Sequence, residues 1–192
     1  MNSRKELPFP RGSTFSDKGG NGIALDDNTY SHLEGQIFET EDTVHGTGTK
    51  VKLRVVKNDT GSDITVAKKF GEFSTGALDF GRRIGTFPAN TAGAIVKPLD
   101  DAYVVGTTIP DDDLFYVVDA GPCEVLAEAT IGTAVAGTAC FTNNAGLVDG
   151  DICPEGSYAV GVLDTTPVGN AAVVVWVNEG LVAPDAGASG AA

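Results

Sequence analysis

The sequence predicts an all-β protein: a β-barrel, β-tulip-like or sandwich domain with an extended N-terminal arm and a flexible C-terminal tail. Three observations lead there. Short runs rich in Val, Ile, Thr, Phe and Ala recur every 8–15 residues or so, the spacing of strands in sandwiches and barrels. Clusters of Gly, Pro, Asn and Asp separate these runs, and the 192-residue chain holds 25 glycines beside 42 % hydrophobic residues, enough for many turns and a real core. Finally, no amphipathic helix longer than about two turns stands out. The best candidate, Glu124–Ala136, is interrupted by Gly132 and carries Thr130, Thr133 and Val135, all weak helix formers.

Residues 1–31 are polar, rich in Gly, Asn, Asp and Ser, and without a sustained period, so they read as an extended arm. Leu7, Pro8, Phe9, Pro10, Arg11 and Phe15 are its candidate contact residues, because Phe9 and Phe15 are apolar anchors with nothing nearby to pack against. Residues 32–182 form the β domain, with a division into two β subdomains near 90–98 as an option. Gln36–Thr40 is a short strand. Lys50–Lys57 alternates, placing Val51, Leu53 and Val55 on one face and Lys50, Lys52 and Arg54 on the other. Asn58-Asp-Thr-Gly61 supplies turn chemistry, and Ile64–Phe70 follows as the expected hairpin partner. Gly71–Asn90 is less regular, and its Gly81-Arg82-Arg83 is a candidate contact loop.

Further strands are expected at Gly93–Lys97, Ala102–Gly106, Leu114–Asp119, Cys123–Ala129, Thr138–Thr142, Ala159–Leu163 and Ala171–Asn178. Turn clusters divide them, among them Pro98-Leu-Asp-Asp, Pro110-Asp-Asp-Asp, Ala120-Gly-Pro and Thr166-Pro-Val-Gly-Asn. Residues 183–192, rich in Ala and Gly, form the tail.

Charge is unevenly spread. All 13 Lys and Arg lie between Arg4 and Lys97; with 12 acids in residues 1–97, that half is +1, while residues 98–192 hold 14 acids and no base, a net −14. The total of −13 disfavours a nucleic-acid partner, whose phosphates attract basic surfaces. The acidic half reads equally as a solvated face or as one that meets basic neighbours; Lys50, Lys52, Arg54, Arg82 and Arg83 are the candidate inter-subunit contacts. No apolar run approaches the roughly 18–20 residues of a membrane span. Cys123, Cys140 and Cys153 are widely spaced, without a C-x-x-C pair, and nothing at the N-terminus reads as a signal peptide, so reduced thiols after cytoplasmic synthesis are expected.

A search for chemistry returns little, and no catalytic, cofactor-binding or metal-binding residue is expected. Nucleophilic catalysis needs a base beside the nucleophile. The two histidines, His32 and His45, sit in the arm boundary and in a hairpin-like loop, and no G-x-S-x-G is present. Gly46-Thr-Gly-Thr-Lys50 lacks the spacing of a phosphate loop and leads into a strand. Asp111-Asp112-Asp113 could attract calcium, but three consecutive carboxylates do not converge, and a solvated turn is expected. Gly161-Val-Leu-Asp-Thr-Thr-Pro-Val-Gly169 resembles one motif of trimeric dUTP pyrophosphatases, with Asp164 at the acidic position. Pro167 stands where that family has Tyr, and the family's other motifs are missing.

A second resemblance fits more of the chain. Gly121-Pro-Cys-Glu-Val-Leu126, Phe141-Thr-Asn-Asn-Ala-Gly-Leu-Val148, and Ala159-Val-Gly-Val-Leu-Asp164 with the strand Ala171–Val177 resemble the head decoration, or cement, proteins of tailed bacteriophages. Gly35-Gln-Ile-Phe through Lys57-Asn-Asp-Thr-Gly and Ala67-Lys-Lys-Phe are similar to virion proteins of marine-type phages. The resemblance implies a non-enzymatic β domain on the outer surface of the virion. It would bind the major capsid protein, most often as a homo-oligomer with a trimer favoured, its arm adding a strand to that protein or lying along it. It implies no nucleic-acid or membrane partner and no cofactor. Two other classes are compatible with the same composition: another virion subunit such as a tail tube protein, and a carbohydrate-binding surface module.

Overall fold

The computed structural model describes residues 7–9, 11, 14–16, 31–65, 68–76, 78–91, 94–103, 108–130, 134–142, 145–149 and 159–182. Among the described residues, thirteen strands run in chain order: β1 (Phe15–Ser16), β2 (Ile37–Glu41), β3 (Lys50–Asn58), β4 (Ile64–Thr65), β5 (Phe70–Phe73), β6 (Arg83–Thr86), β7 (Val96–Pro98), β8 (Thr108–Ile109), β9 (Asp113–Leu126), β10 (Ala139–Thr142), β11 (Val148–Asp149), β12 (Ala159–Leu163) and β13 (Ala172–Val182). A 3₁₀ turn, Ser31–Leu33, precedes β2. The protein is all-β, as the sequence predicts. Eleven strands share one sheet in the order β11-β10-β12-β13-β9-β3-β6-β5-β7, with β1 also on β9 and β2 also on β3; β4 and β8 form a separate pair.

The centre of the molecule is the antiparallel β3–β9 ladder, Leu53 opposite Val118 and Val55 opposite Tyr116. Both of its faces are covered. Val51, Leu53 and Val55 join Leu114, Tyr116 and Val118 in a cluster that continues through Cys123, Val125 and Val175 into the second half. On the reverse face, Val56, Phe115 and Val117 pack with Ile64, Phe73, Ile84, Leu99 and Ile109. Each such side chain removed from water contributes about 1.5–3 kcal/mol, so this double burial makes the ladder the main source of stability.

β9 is a single strand of 14 residues, where the sequence predicts two strands broken at Ala120-Gly-Pro. The turn signal is real but is spent on a bend. Gly121 takes φ +110°, and a Cβ there would lie 3.0 Å from the Lys50 carbonyl oxygen, so only glycine allows β3 so close. The register shifts at Lys52/Leu53 on β3, opposite this bend. Before it, β9 pairs with β3; beyond it, residues 121–126 pair with β13.

Ile64–Phe70 is not the hairpin partner of β3. Asn58, fully buried, donates through Nδ2 to the carbonyls of Ser62, Ile109 and Pro110, and its Oδ1 accepts from Thr60. That side chain ties the turn to the 109–110 segment, so Ile64 pairs with Ile109 on β8, and Phe70 opens β5 instead. β3 receives β6 in parallel register, Asn58 beside Ile84. Ala102 and Tyr103 lie in a turn rather than a strand, and residues 104–106 of that expected strand lie outside the described residues.

In the second half, β9, β13, β12, β10 and β11 are hydrogen-bonded in that order. Val148 of β11 then returns to Ala127, immediately after β9, through a parallel bridge, with Glu128 N donating to the Val148 carbonyl at 2.9 Å. Five strands thus close into a ring. Cys123, Val125, Cys140, Leu163, Val173 and Val175 are buried in it at every second position.

Candidate functional site: the arm seam and the charged faces

The described part of the arm lies on the domain itself. Phe9 is 5 % exposed and stacks on Tyr116, ring centroids 4.3 Å apart at 21°. The Tyr116 hydroxyl donates to the Phe9 carbonyl at 2.8 Å and accepts from Phe9 N at 3.3 Å. Burial pushes the Tyr116 hydroxyl up to about 12. Leu7 is half-buried against the same cluster, and Pro8 is exposed. The guanidinium of Arg11 donates to Thr43 Oγ1 at 3.1 Å and to the Glu41 carbonyl at 3.4 Å. Phe15 and Ser16 form β1 and pair with Leu114 and Asp113.

The expectation that Phe9 has nothing to pack against is therefore overturned. Its partner, Tyr116, is 107 residues away in sequence, beyond the reach of a local reading. The strand that the arm adds, β1, is added to this chain's own β9. Pro10 and the Phe15 side chain lie outside the described residues.

The basic residues expected to meet acidic neighbours meet them inside the chain. Lys50 pairs with Glu39 across β2 and β3. Lys52 stands opposite Glu39 in the ladder. Arg54 grips Asp119 with two hydrogen bonds, Nε to Oδ1 at 2.9 Å and Nη2 to Oδ2 at 3.1 Å, while its Nη1 donates to the Gly81 carbonyl at 3.2 Å. Lys97 Nζ lies 3.0 Å from the same Asp119 Oδ1 and donates to the Asp119 carbonyl. Burial alone would raise the Asp119 carboxyl; the Arg54 hydrogen bond and the neighbouring charges outweigh it and hold the group below the usual carboxylate range. Arg82 and Arg83 both reach Glu34 Oε2, at 3.4 and 3.1 Å, and Arg83 also faces Asp79 and Asp59. Lys57 pairs with Asp112, and Lys68 with Glu124 and Asp101.

Sequence reasoning missed three acids of this network, Glu34, Asp119 and Asp100. Asp100 is fully buried and accepts from Glu124 N at 2.6 Å and Ala102 N at 2.9 Å; burial raises its carboxyl. His45 Nε2 lies 2.9 Å from Asp100 Oδ2. His45, read as a surface or loop histidine, is in a loop, but its side chain is only 8 % exposed. Asp42 organises that loop, accepting from the backbone N–H of Val44, His45 and Thr47 and from the hydroxyls of Thr47 and Tyr103. Burial opposes its ionisation, yet these donors hold the carboxyl well below the usual range. The network fastens the 42–49 loop, the 100–103 turn and β9 together, with Arg11 of the arm beside it.

Asp164, the residue of the dUTP-pyrophosphatase-like motif, is exposed in the turn between β12 and β13 and accepts from Trp176 Nε1 at 2.7 Å. In the 111–113 turn, Asp111 N donates to Asp63 Oδ1, and the Asp112 carboxylate is paired with Lys57. Among the described residues, no three or more His, Cys, Asp or Glu are grouped to hold a metal ion. No helix among them is long and apolar enough to cross a membrane.

No family model matches the sequence, and no curated protein matches it. A solved structure with a similar chain is the N base of the head fiber gp8.5 in bacteriophage phi29, at 17 % identity, covering 68 % of this chain and 96 % of that one, with a TM-score of 0.40.

Proposed function

We propose that the protein is a structural component of a tailed-bacteriophage virion that binds the outer surface of the capsid and stabilises the shell. It acts by docking to the major capsid protein as a homo-oligomer, without catalysis, cofactor, nucleic acid or membrane. One observation carries this reading. The sequence blocks that resemble head decoration proteins, at 121–126, 141–148, 159–164 and 171–177, are separate in the chain but supply the five strands of one closed ring, β9, β13, β12, β10 and β11. A resemblance scattered over the sequence thus maps onto one structural unit. Such a ring needs no ligand to be complete, and several copies on a closed shell gain avidity from individually weak contacts.

The arm serves this function differently from a free tether. Phe9 belongs to the core, so the exposed Pro8 and the half-buried Leu7 and Arg11 are among the described arm residues available to a shell. Co-sedimentation with shells that lack the protein tests the proposal. Saturable capture at a fixed ratio to the major capsid protein is expected, weakened by Pro8→Asp at unchanged urea stability. A protein that stays in the supernatant at every concentration, as a stable monomer, overturns it and points instead to a ligand-binding module.

A further inference from the structure

β2 has a neighbour on one side only. It pairs with β3 from Ile37 opposite Arg54 to Glu41 opposite Lys50, and among the described residues no strand lies along its other edge. The pairing fixes which backbone groups face that edge. Val55 N donates to the Gln36 carbonyl at 2.9 Å and Asp42 N to the Thr49 carbonyl at 2.7 Å, so the bonded pairs of this antiparallel ladder fall at the even residues of β2. Ile37, Glu39 and Glu41 therefore aim their N–H and C=O groups away from β3. The Glu41 carbonyl shows the direction, because it accepts from Arg11 of the arm at 3.4 Å. That leaves the N–H and C=O of Ile37 and of Glu39, and the N–H of Glu41, without a hydrogen-bond partner among the described residues. The other strands with one neighbour are shorter or closed off: β7 has three residues and ends in Pro98, and β11 has two and returns to Ala127.

The chemistry of this edge says what it takes. Alternating donors and acceptors, repeating about every 6.6–6.8 Å along a strand, match the backbone of an extended peptide. The side chains of Ile37, Glu39 and Glu41 share one face. Ile37 is 39 % exposed, Glu39 is engaged by Lys50, and Glu41 is exposed and forms no ion pair among the described residues. A second copy of β2, laid antiparallel about Glu39 or parallel in register, would set glutamate against glutamate, which is destabilising in a chain already at −13. On its filled side, the same face of β2 meets Lys50, Lys52 and Arg54. The edge thus refuses its own copy and favours a basic strand.

We infer that the outward edge of β2 is an acceptor for an added strand: an extended segment of another protein that sets Lys or Arg beside Glu41 and, four residues along, an apolar side chain beside Ile37. The inference goes beyond the proposed function and does not depend on capsid binding, since its test uses no shells.

The test uses the full chain and a fluorescent peptide, Thr-Lys-Thr-Lys-Thr-Val-Thr, read by anisotropy. Saturable one-to-one binding is expected. The same peptide N-methylated at both lysines and the valine keeps its charges but loses the donors that face β2, and should bind on the order of a hundredfold more weakly. Ile37→Pro removes an outward N–H and spares the bonds to β3, and should weaken the parent peptide about tenfold. Glu41→Lys should weaken it about fivefold, less at high salt. Far-UV circular dichroism verifies that both variants are folded, and the methylated peptide tests the wild-type chain whether or not the proline variant folds. Equal binding of the two peptides reduces the attraction to the general negative field and overturns the inference. So does the absence of binding at millimolar peptide, or binding unchanged in both folded variants, which would put the peptide elsewhere. A wild-type dimer in light scattering that Ile37→Pro dissolves gives the edge to a second copy and also overturns it.

Discussion

The two halves of this molecule solve the same problem, covering a sheet, by opposite means. From β2 to the start of β9, the central ladder is covered on both faces by the chain itself, and its charged side chains are drawn inward into pairs such as Arg54–Asp119 and Arg83–Glu34. From Gly121 to β13, the strands close into a ring that fills its own interior and leaves Val162, Val174 and Trp176 half-buried on its outward side. The charge imbalance of the sequence follows the same line and is partly cancelled across it. Asp101, Asp112, Asp119 and Glu124, all from the half without bases, take up Lys68, Lys57, Arg54 and Lys97 from the other. The lesson is that a sequence with segregated charge need not be looking for an oppositely charged partner; here β9, with Asp119 and Glu124, and the turns holding Asp101 and Asp112 before it carry the acids to the bases.

If charge pairing holds the first half to β9, Asp119→Ala should have the largest effect. It strands Arg54 and Lys97 in a buried setting, and a loss of about 3–5 kcal/mol in urea unfolding is expected. Because one apolar cluster runs through both halves, the emission of Trp176, in the other half, should report the same shifted transition as far-UV circular dichroism. Separate transitions would divide the molecule at Gly121.

Phe9→Ala probes the arm in the same way. A free tether would not notice the change, whereas loss of the Tyr116 stack should cost about 2–4 kcal/mol.

The next effect is smaller and depends on pH. Asp42 and Asp119 are held below the ordinary carboxylate range, so their contribution is complete above the unfolded value and is lost as pH falls through the folded one, below about pH 4. Asp100, raised by burial, works in the opposite sense and gains stability on protonation. A net acid limb is expected in the urea midpoint, and Asp42→Asn should flatten it while costing about 1–2 kcal/mol at neutral pH. An acid limb of unchanged depth in that variant would remove Asp42 from the account. Smallest of all, Arg11→Ala should change stability by about 0.5 kcal/mol or less, since its contacts are exposed.

Much of the strand content was legible locally. Lys50–Lys57 alternates so plainly that β3 lies within a residue of its expected end, and the strands at 139–142, 159–163 and 172–182 begin where Val, Ala and Thr runs begin. The short strands β6, β8 and β11 were not legible, because two to four residues are too few to show a period. Of the candidate contact residues, the basic ones were recognised as ion-pair formers, but their partners were not, since Arg54 and Asp119 are 65 residues apart.

By itself the sequence determined the all-β class, the positions of the longer strands and the uneven charge, because alternation, turn chemistry and composition are properties of neighbouring residues. Tertiary structure alone decided that Gly121 bends a strand instead of ending it and that Asn58 sends Ile64 to Ile109 rather than to β3. It also decided that Phe9 belongs to the core and that the bases are spent within the chain. Each of these depends on which distant backbone or side chain comes within a few ångströms, and no local pattern carries that distance.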